Sequence, residues 1–265
     1  MKKLFIFILF LFIFSSLASA SYINLSTTVV TRSEGGLLNV AVSSQNNGDE
    51  PAYNVQAELQ VAGKRILLAK SDAIGVGQSY TAGAREPLGL KLPGDYPLII
   101  ILHYTDANQY PFSALTSAVF RYRSEALPAS ILGSMASKTF WEKGMLSLAL
   151  RNFSDAELEL STRLVTPREL AVEKNDLKTR IRPRGQERVQ FAVKNFSALS
   201  GSNYQVFAVS EYDEAGVHRT QITPGFVKIV ERRTFLGVDY AYLIIVLVAL
   251  ALLFVFFQFF PFNKE

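Results

Sequence analysis

Chemistry in this chain would have to start from His103 and His218 or from the basic series Lys178, Arg180, Arg182 and Arg184. Imidazole is the side chain best suited to take and give protons near neutral pH, and it is the commonest metal ligand. These two histidines are 115 positions apart, and the chain has no cysteine, so the spacing and thiolates of a zinc site are missing. No Gly-x-Ser-x-Gly elbow and no phosphate-cradling glycine loop is present. A structural or surface role is expected of both histidines, and no catalytic, cofactor-binding or metal-ligating residue is assigned.

In an extended strand, alternate residues point the same way, so Lys178, Arg180 and Arg182 would line one face, with Arg184 continuing the row beyond Pro183. Arginine forks suit an anionic ligand such as an acidic glycan or a lipid headgroup. Charged residues on an outer strand also deter unwanted pairing, and that edge role is the preferred reading of the row. The carboxylates are scattered. Asp49-Glu50 and Asp106 fall beside turn sequences, where an aspartate bonds nearby backbone amides, and no Asp-x-Asp-x-Asp-Gly run supplies a calcium loop. Glu157 and Glu159 read as one solvated strand face. Trp141, Tyr110 and Phe112 are the aromatic rings on which a sugar face would stack, if they are not core. Asn24-Leu25-Ser26, Asn152-Phe153-Ser154 and Asn195-Phe196-Ser197 match the N-glycosylation acceptor pattern.

The elements that carry these residues read as short strands. Leu38, Val40 and Val42 alternate with Asn39, Ala41 and Ser43; Tyr53, Val55, Ala57, Leu59 and Val61 form a second apolar face; Leu158, Leu160, Thr162 and Leu164 form another. Such alternation fits antiparallel sheets with one solvated face. The body also repeats. Gly77-Gln78, Asp95-Tyr96, Tyr104 and Ala107 recur 108 positions later as Gly185-Gln186, Asn203-Tyr204, Tyr212 and Ala215, and Asn46–Asp49 corresponds to Asn152–Asp155 at an offset of 106. At that spacing His103 falls opposite Glu211, and His218 opposite Tyr110. Two copies of about seven strands in roughly 105 residues have the rhythm of immunoglobulin-like sandwiches.

Leu38-Asn39-Val40-Ala41-Val42, Asn46-Asn47-Gly48-Asp49 and Ala52-Tyr53-Asn54-Val55 resemble the cell-adhesion-related bacterial sandwich domain CARDB. In the second copy, Leu146–Asn152, Thr166-Pro167, Arg182–Gln186 and Gly201–Tyr204 are similar to the NPCBM-associated domain of alpha-galactosidase-type proteins. The resemblance implies a β-sandwich accessory module of secreted or surface proteins, with no catalytic residues to carry over.

Both ends are apolar. Lys2 and Lys3 precede the 11-residue run Leu4–Phe14, and Ala18-Ser19-Ala20 follows, the three parts of a secretory signal. The 21-residue run Tyr240–Phe260 would rise about 31 Å as a helix, the thickness of a hydrocarbon core. The net charge of +4 is mild, and Lys2, Lys3 and Lys264 lie outside the strand-rich body, so nucleic-acid binding is not expected.

The expected architecture is therefore all-β: two tandem immunoglobulin-like antiparallel sandwiches plus one C-terminal transmembrane helix. Its parts are a signal peptide over 1–20, sandwiches over 21–125 and 126–231, a linker over 232–239, the membrane helix over 240–260 and a cytoplasmic tail over 261–265. The expected function is non-catalytic: a structural, adhesion or protein-interaction role at the cell envelope, with the body outside and the lipid bilayer and an envelope protein or glycan as partners. The alternative is a glycan-binding module serving a separately encoded enzyme.

Overall fold

The computed structural model describes residues 22–125, 128–231, 234–235 and 238–259. The chain divides into two compact units, residues 1–125 and 126–265.

In the first unit, β1 (Leu25–Glu34), β2 (Leu37–Asn46), β3 (Ala52–Val61), β4 (Lys64–Leu67), β5 (Ser71–Ile74), β6 (Ser79–Pro87), β7 (Gly94–Thr105) and β8 (Pro111–Tyr122) follow one another. β1, β2 and β6 form one antiparallel sheet. The other is built on β3, which pairs with β4, β5 and β7, while β7 continues into β8. One apolar layer closes the two sheets on each other: Leu38, Val40 and Val42 of β2 and Tyr80 of β6 share a core with Ala57, Leu59, Leu98, Ile100, Leu102 and Phe120. This is a sandwich in which every second residue faces inward.

The second unit repeats the plan with β9 (Ile131–Met135), β10 (Lys138–Phe140), β11 (Lys143–Asn152), β12 (Leu158–Val165), β13 (Leu170–Val172), β14 (Asp176–Ile181), β15 (Gln186–Asn195), β16 (Asn203–Glu214) and β17 (Val217–Ile229). One sheet runs β13-β15-β11-β9. The other runs β14-β12-β16-β17, with β10 pairing parallel to β17. Leu146, Leu148, Leu150, Phe191 and Val193 meet Leu158, Leu160, Leu164, Val206, Ala208 and Val227 in its core. Each unit is thus an immunoglobulin-like β-sandwich.

The repeat is visible bond by bond. Asn46 and Asn152 are both fully buried, at the ends of β2 and β11. Asn46 donates from Nδ2 to the carbonyls of Glu50 (2.7 Å) and Ile74 (3.3 Å) and accepts from Gly48 N–H (3.0 Å). Asn152 donates to Ala156 (2.8 Å) and Ile181 (3.3 Å) and accepts from Ser154 N–H (2.8 Å). In each unit one side chain closes a whole corner whose backbone would otherwise be buried unpaired. Tyr96 and Tyr204, both buried, likewise tie their strand to the loop before it: Tyr96 donates to the Leu92 carbonyl at 2.9 Å, and Tyr204 Oη accepts from Leu199 N–H at 2.8 Å. A tyrosine in this place is a recurring device of the immunoglobulin fold.

Three sequence expectations are corrected. Tyr53 does not share the core face with Val55, because Asn54 takes a left-handed backbone (φ 53°) at a bulge between β3 and β7 that shifts the alternation by one. The cationic series is not one strand face, because β14 stops at Ile181, and Arg184 (φ 55°) lies in the turn that follows. Finally, the expected transmembrane helix over 240–260 is not supported: no helix among the described residues is long and apolar enough to cross a membrane. A helix does form, Tyr240–Phe259, after a short pairing of Thr234–Phe235 with Val238–Asp239. The signal segment and the tail 261–265 lie outside the described residues.

Candidate functional site

The basic series sits on β14, the edge strand of its sheet, and on the turn beyond it. Lys178 and Arg180 share the exposed side of the strand, and Arg182 and Arg184 are exposed in the turn. Glu159 lies opposite Arg180 in the ladder and meets it at 3.3 Å. Arg184 makes a two-pronged pair with Asp155, Nε to Oδ1 at 2.8 Å and Nη2 to Oδ2 at 3.1 Å, which holds the Asp155 carboxyl below its ordinary range. Two of the four cations are thus engaged by carboxylates, Arg180 by Glu159 of β12 and Arg184 by Asp155 in the bend before it. Glu159 and Glu157 are both exposed, on the face read as solvated.

The densest group of titratable side chains is on the same sheet. Glu159, Lys178, Glu211, Asp213 and His218, with Leu160, Ser161 and Tyr212, line a shallow open cleft of about 280 Å³. His218 on β17 is gripped from both ring nitrogens: Nδ1 lies 2.7 Å from Asp213 and Nε2 lies 3.3 Å from Glu211, both on β16. Burial alone would push its pKa down. The hydrogen bonds to Glu211 and Asp213, and their charges, outweigh burial and raise it. Both ring nitrogens are committed, so the imidazole has no open coordination or proton-transfer position. Among the described residues, no group of three or more histidine, aspartate or glutamate side chains is placed to hold a metal ion.

In the first unit, His103 lies against Glu58, with Nε2 3.6 Å from Oε2. Glu58 is nearly buried and also takes two bonds from Arg65 and one from Gln60, each at 2.9 Å. Burial pushes its pKa up, yet the Arg65 and Gln60 bonds and the neighbouring positive charge prevail and bring it below its ordinary value.

Asp49 and Asp106 serve the backbone: Asp49 accepts from Tyr22 N–H at 2.6 Å and Asp106 from Tyr110 N–H at 2.8 Å. Tyr110 and Phe112 are half-buried: Phe112 stacks on Tyr104 with ring centroids 5.6 Å apart, and Tyr110 meets Phe112 at a tilt with centroids 5.1 Å apart. Two of the three glycan-acceptor matches are structural. Asn152 is the buried corner residue above, and Asn195 Nδ2 donates to the carbonyls of Trp141 and Ala198, each at 3.2 Å. Asn24 is exposed.

Sequence reasoning named Trp141 but missed Phe196 and Leu199, which share with it the loop end of the second sandwich. Trp141, Phe196 and Leu199 are exposed there by 39%, 78% and 42%, and the segment that carries two of them is strongly held. Asn195 N–H donates to the Glu142 carbonyl (2.8 Å), Phe196 N–H to Glu169 (2.9 Å), and Ala198 N–H to Asn195 Oδ1 (2.7 Å). The available signal was the apolar content of Phe196-Ser197-Ala198-Leu199 in a position that should be a polar turn.

No protein-family model matches the chain, and no curated protein matches it. Among solved structures, the chain is similar to a red sea bream transglutaminase (12% identity, TM-score 0.29, covering 78% of this chain and 31% of that one). It is also similar to the E. coli alpha-2-macroglobulin (9%, 0.31, covering 78% and 17%). A third is the periplasmic chaperone SfaE (15%, 0.31, covering 77% and 100%). The chain spans less than a third of the length of the first two. Likenesses this remote carry no argument about the site.

Proposed function

We propose that this chain is a non-catalytic interaction protein of the cell envelope, its two sandwiches lying outside the cytoplasm and presenting surface to another envelope component. The observation that carries the reading is the distribution of exposed large apolar side chains. On the second unit, Leu132, Trp141, Met145, Phe153, Phe196, Leu199 and Phe226 all stand in solvent. They stand on a scaffold that has a buried apolar core of its own, from which they are separate. Aromatic residues and methionine are the types enriched where proteins meet partners. The mutual pairing of the charged groups supports a non-catalytic role, because the strongest acid–base cluster is spent on holding His218. The signal-like N-terminal segment supports export.

Photo-crosslinking in intact cells tests this. A photoreactive residue at Phe226, on the outer side of β17, should give a discrete adduct with an envelope component. The same residue at Val119 of the first unit should give less. Absence of adducts at Phe226, Leu132 and Met145 alike would overturn the reading.

A further inference from the structure

The loop end of the second sandwich is where the chain leaves the domain. Val230 N–H donates to the Phe140 carbonyl at 3.1 Å, and Gly201 N–H to Ile229 at 2.8 Å, so the exit point lies among the loops that carry Trp141, Phe196 and Leu199. Ten residues on, the helix Tyr240–Phe259 begins, and at about 3.5 Å per residue its first turn lies within about 35 Å of that end. The helix has no polar stripe in its described part: Ile244, Ile245, Val246, Leu247, Val248, Leu250, Leu252 and Leu253 are all exposed. The described part of this helix is uniformly apolar, which favours a non-aqueous surrounding, and chain length keeps its start within reach of the exposed loop residues.

The first unit gives the contrast. Its corresponding loop, between β6 and β7, turns inward: Leu88 is only 8% exposed, and Leu90 packs on the core. In the second unit the bonds from Asn195 and Glu169 fix the backbone so that Phe196 faces out. Two of the nearby cations have acids at hand: Lys194 is paired with Glu173, and exposed Lys143 has Glu142 beside it.

From this geometry we infer that the Trp141–Phe196–Leu199 loop end rests in the boundary between headgroups and acyl chains of a lipid surface, held there by apolar insertion rather than by charge. Tryptophan, phenylalanine and leucine are the residues that favour that depth. The inference rests on the envelope location proposed above and adds to it the partner of one particular surface.

Trp141 is the sole tryptophan of the chain, so it reports on this surface alone. The full chain is reconstituted with neutral phosphatidylcholine vesicles, and Trp141 fluorescence is read against two quenchers, brominated acyl chains and aqueous acrylamide. The expected result is a blue-shifted emission that bromolipid quenches and acrylamide reaches poorly, unchanged by added salt. Phe196→Ser should weaken bromolipid quenching about threefold, read on the protein that co-floats with the vesicles. Trp141 open to acrylamide and untouched by bromolipid would overturn the inference. So would Trp141 shielded from both quenchers, which means that protein covers this end. Either failure alongside a persisting adduct at Phe226 would leave the broader interaction reading standing.

Discussion

The two sandwiches share a skeleton and invert its decoration. Asn46 and Asn152 close the same corner with the same three kinds of bond, and Tyr96 and Tyr204 tie down the same loop. In the first unit the polar centre is an acid, Glu58, nearly buried and surrounded by Arg65, Gln60 and His103. In the second it is a base, His218, surrounded by Glu211 and Asp213. The position of His103 on β7 is taken by Glu211 on the equivalent strand β16, so the sign there is reversed, and the partner has moved from β3 to β17. What persists is what the fold needs to satisfy buried backbone. What changed is the set of side chains whose only constraint is mutual satisfaction.

The largest effects should come from the cores, and they test whether the units are energetically separate. Phe191→Ala, in the second core, is expected to cost about 3–5 kcal/mol, and Leu98→Ala, in the first, about 2–5 kcal/mol. Calorimetry should show each lowering one unfolding transition and sparing the other. A single transition lowered by both would break the comparison.

The corners come next. Asn46→Ala and Asn152→Ala each strand buried carbonyls, at about 1–3 kcal/mol per orphaned group. Chemical denaturation should find the two losses alike. A large cost at one site and none at the other would mean that the corners only look equivalent.

Opposite pH responses follow from the inverted centres. The raised pKa of His218 makes its bonds stabilise the second unit fully below the ordinary histidine value of about 6.5, with the benefit lost as pH rises through the raised value. The lowered pKa of Glu58 stabilises the first unit above the ordinary carboxylate range, with the benefit lost as pH falls through the lowered value. NMR titration of the His218 ring should place its midpoint above 6.5, and His218→Gln should flatten the dependence of the second unit between neutral and alkaline pH. The smallest expected effect is that of Arg184→Ala. Its pair with Asp155 is fully solvent-exposed, and no change in melting temperature should be measurable.

Much of the architecture could be read from periodicity, because a half-buried strand writes its inner face into every second residue. Leu158, Leu160, Thr162 and Leu164 all point inward. Periodicity failed at Tyr53, where a single left-handed asparagine resets the phase without altering composition. It failed also at Arg182, where Pro183 was the visible warning that the strand was ending. The pairing of Glu159 with Arg180 was beyond reach, since ladder register joins residues 21 positions apart and no local pattern encodes it. The exposed Phe196 loop was hidden for a related reason: an apolar residue in a turn reads as core until the bonds that hold it outward are known.

The account depends most on the claim that the second unit's loop end is kept apolar for contact and the first unit's for packing. Paired melting curves of Leu88→Ala and Phe196→Ser test it directly. Leu88→Ala should destabilise its unit by about 2 kcal/mol, as removal of a buried leucine does, while Phe196→Ser should stay within about 0.5 kcal/mol of the parent. Equal losses at the two positions would show that Phe196 is part of the core after all, and the claim would fail.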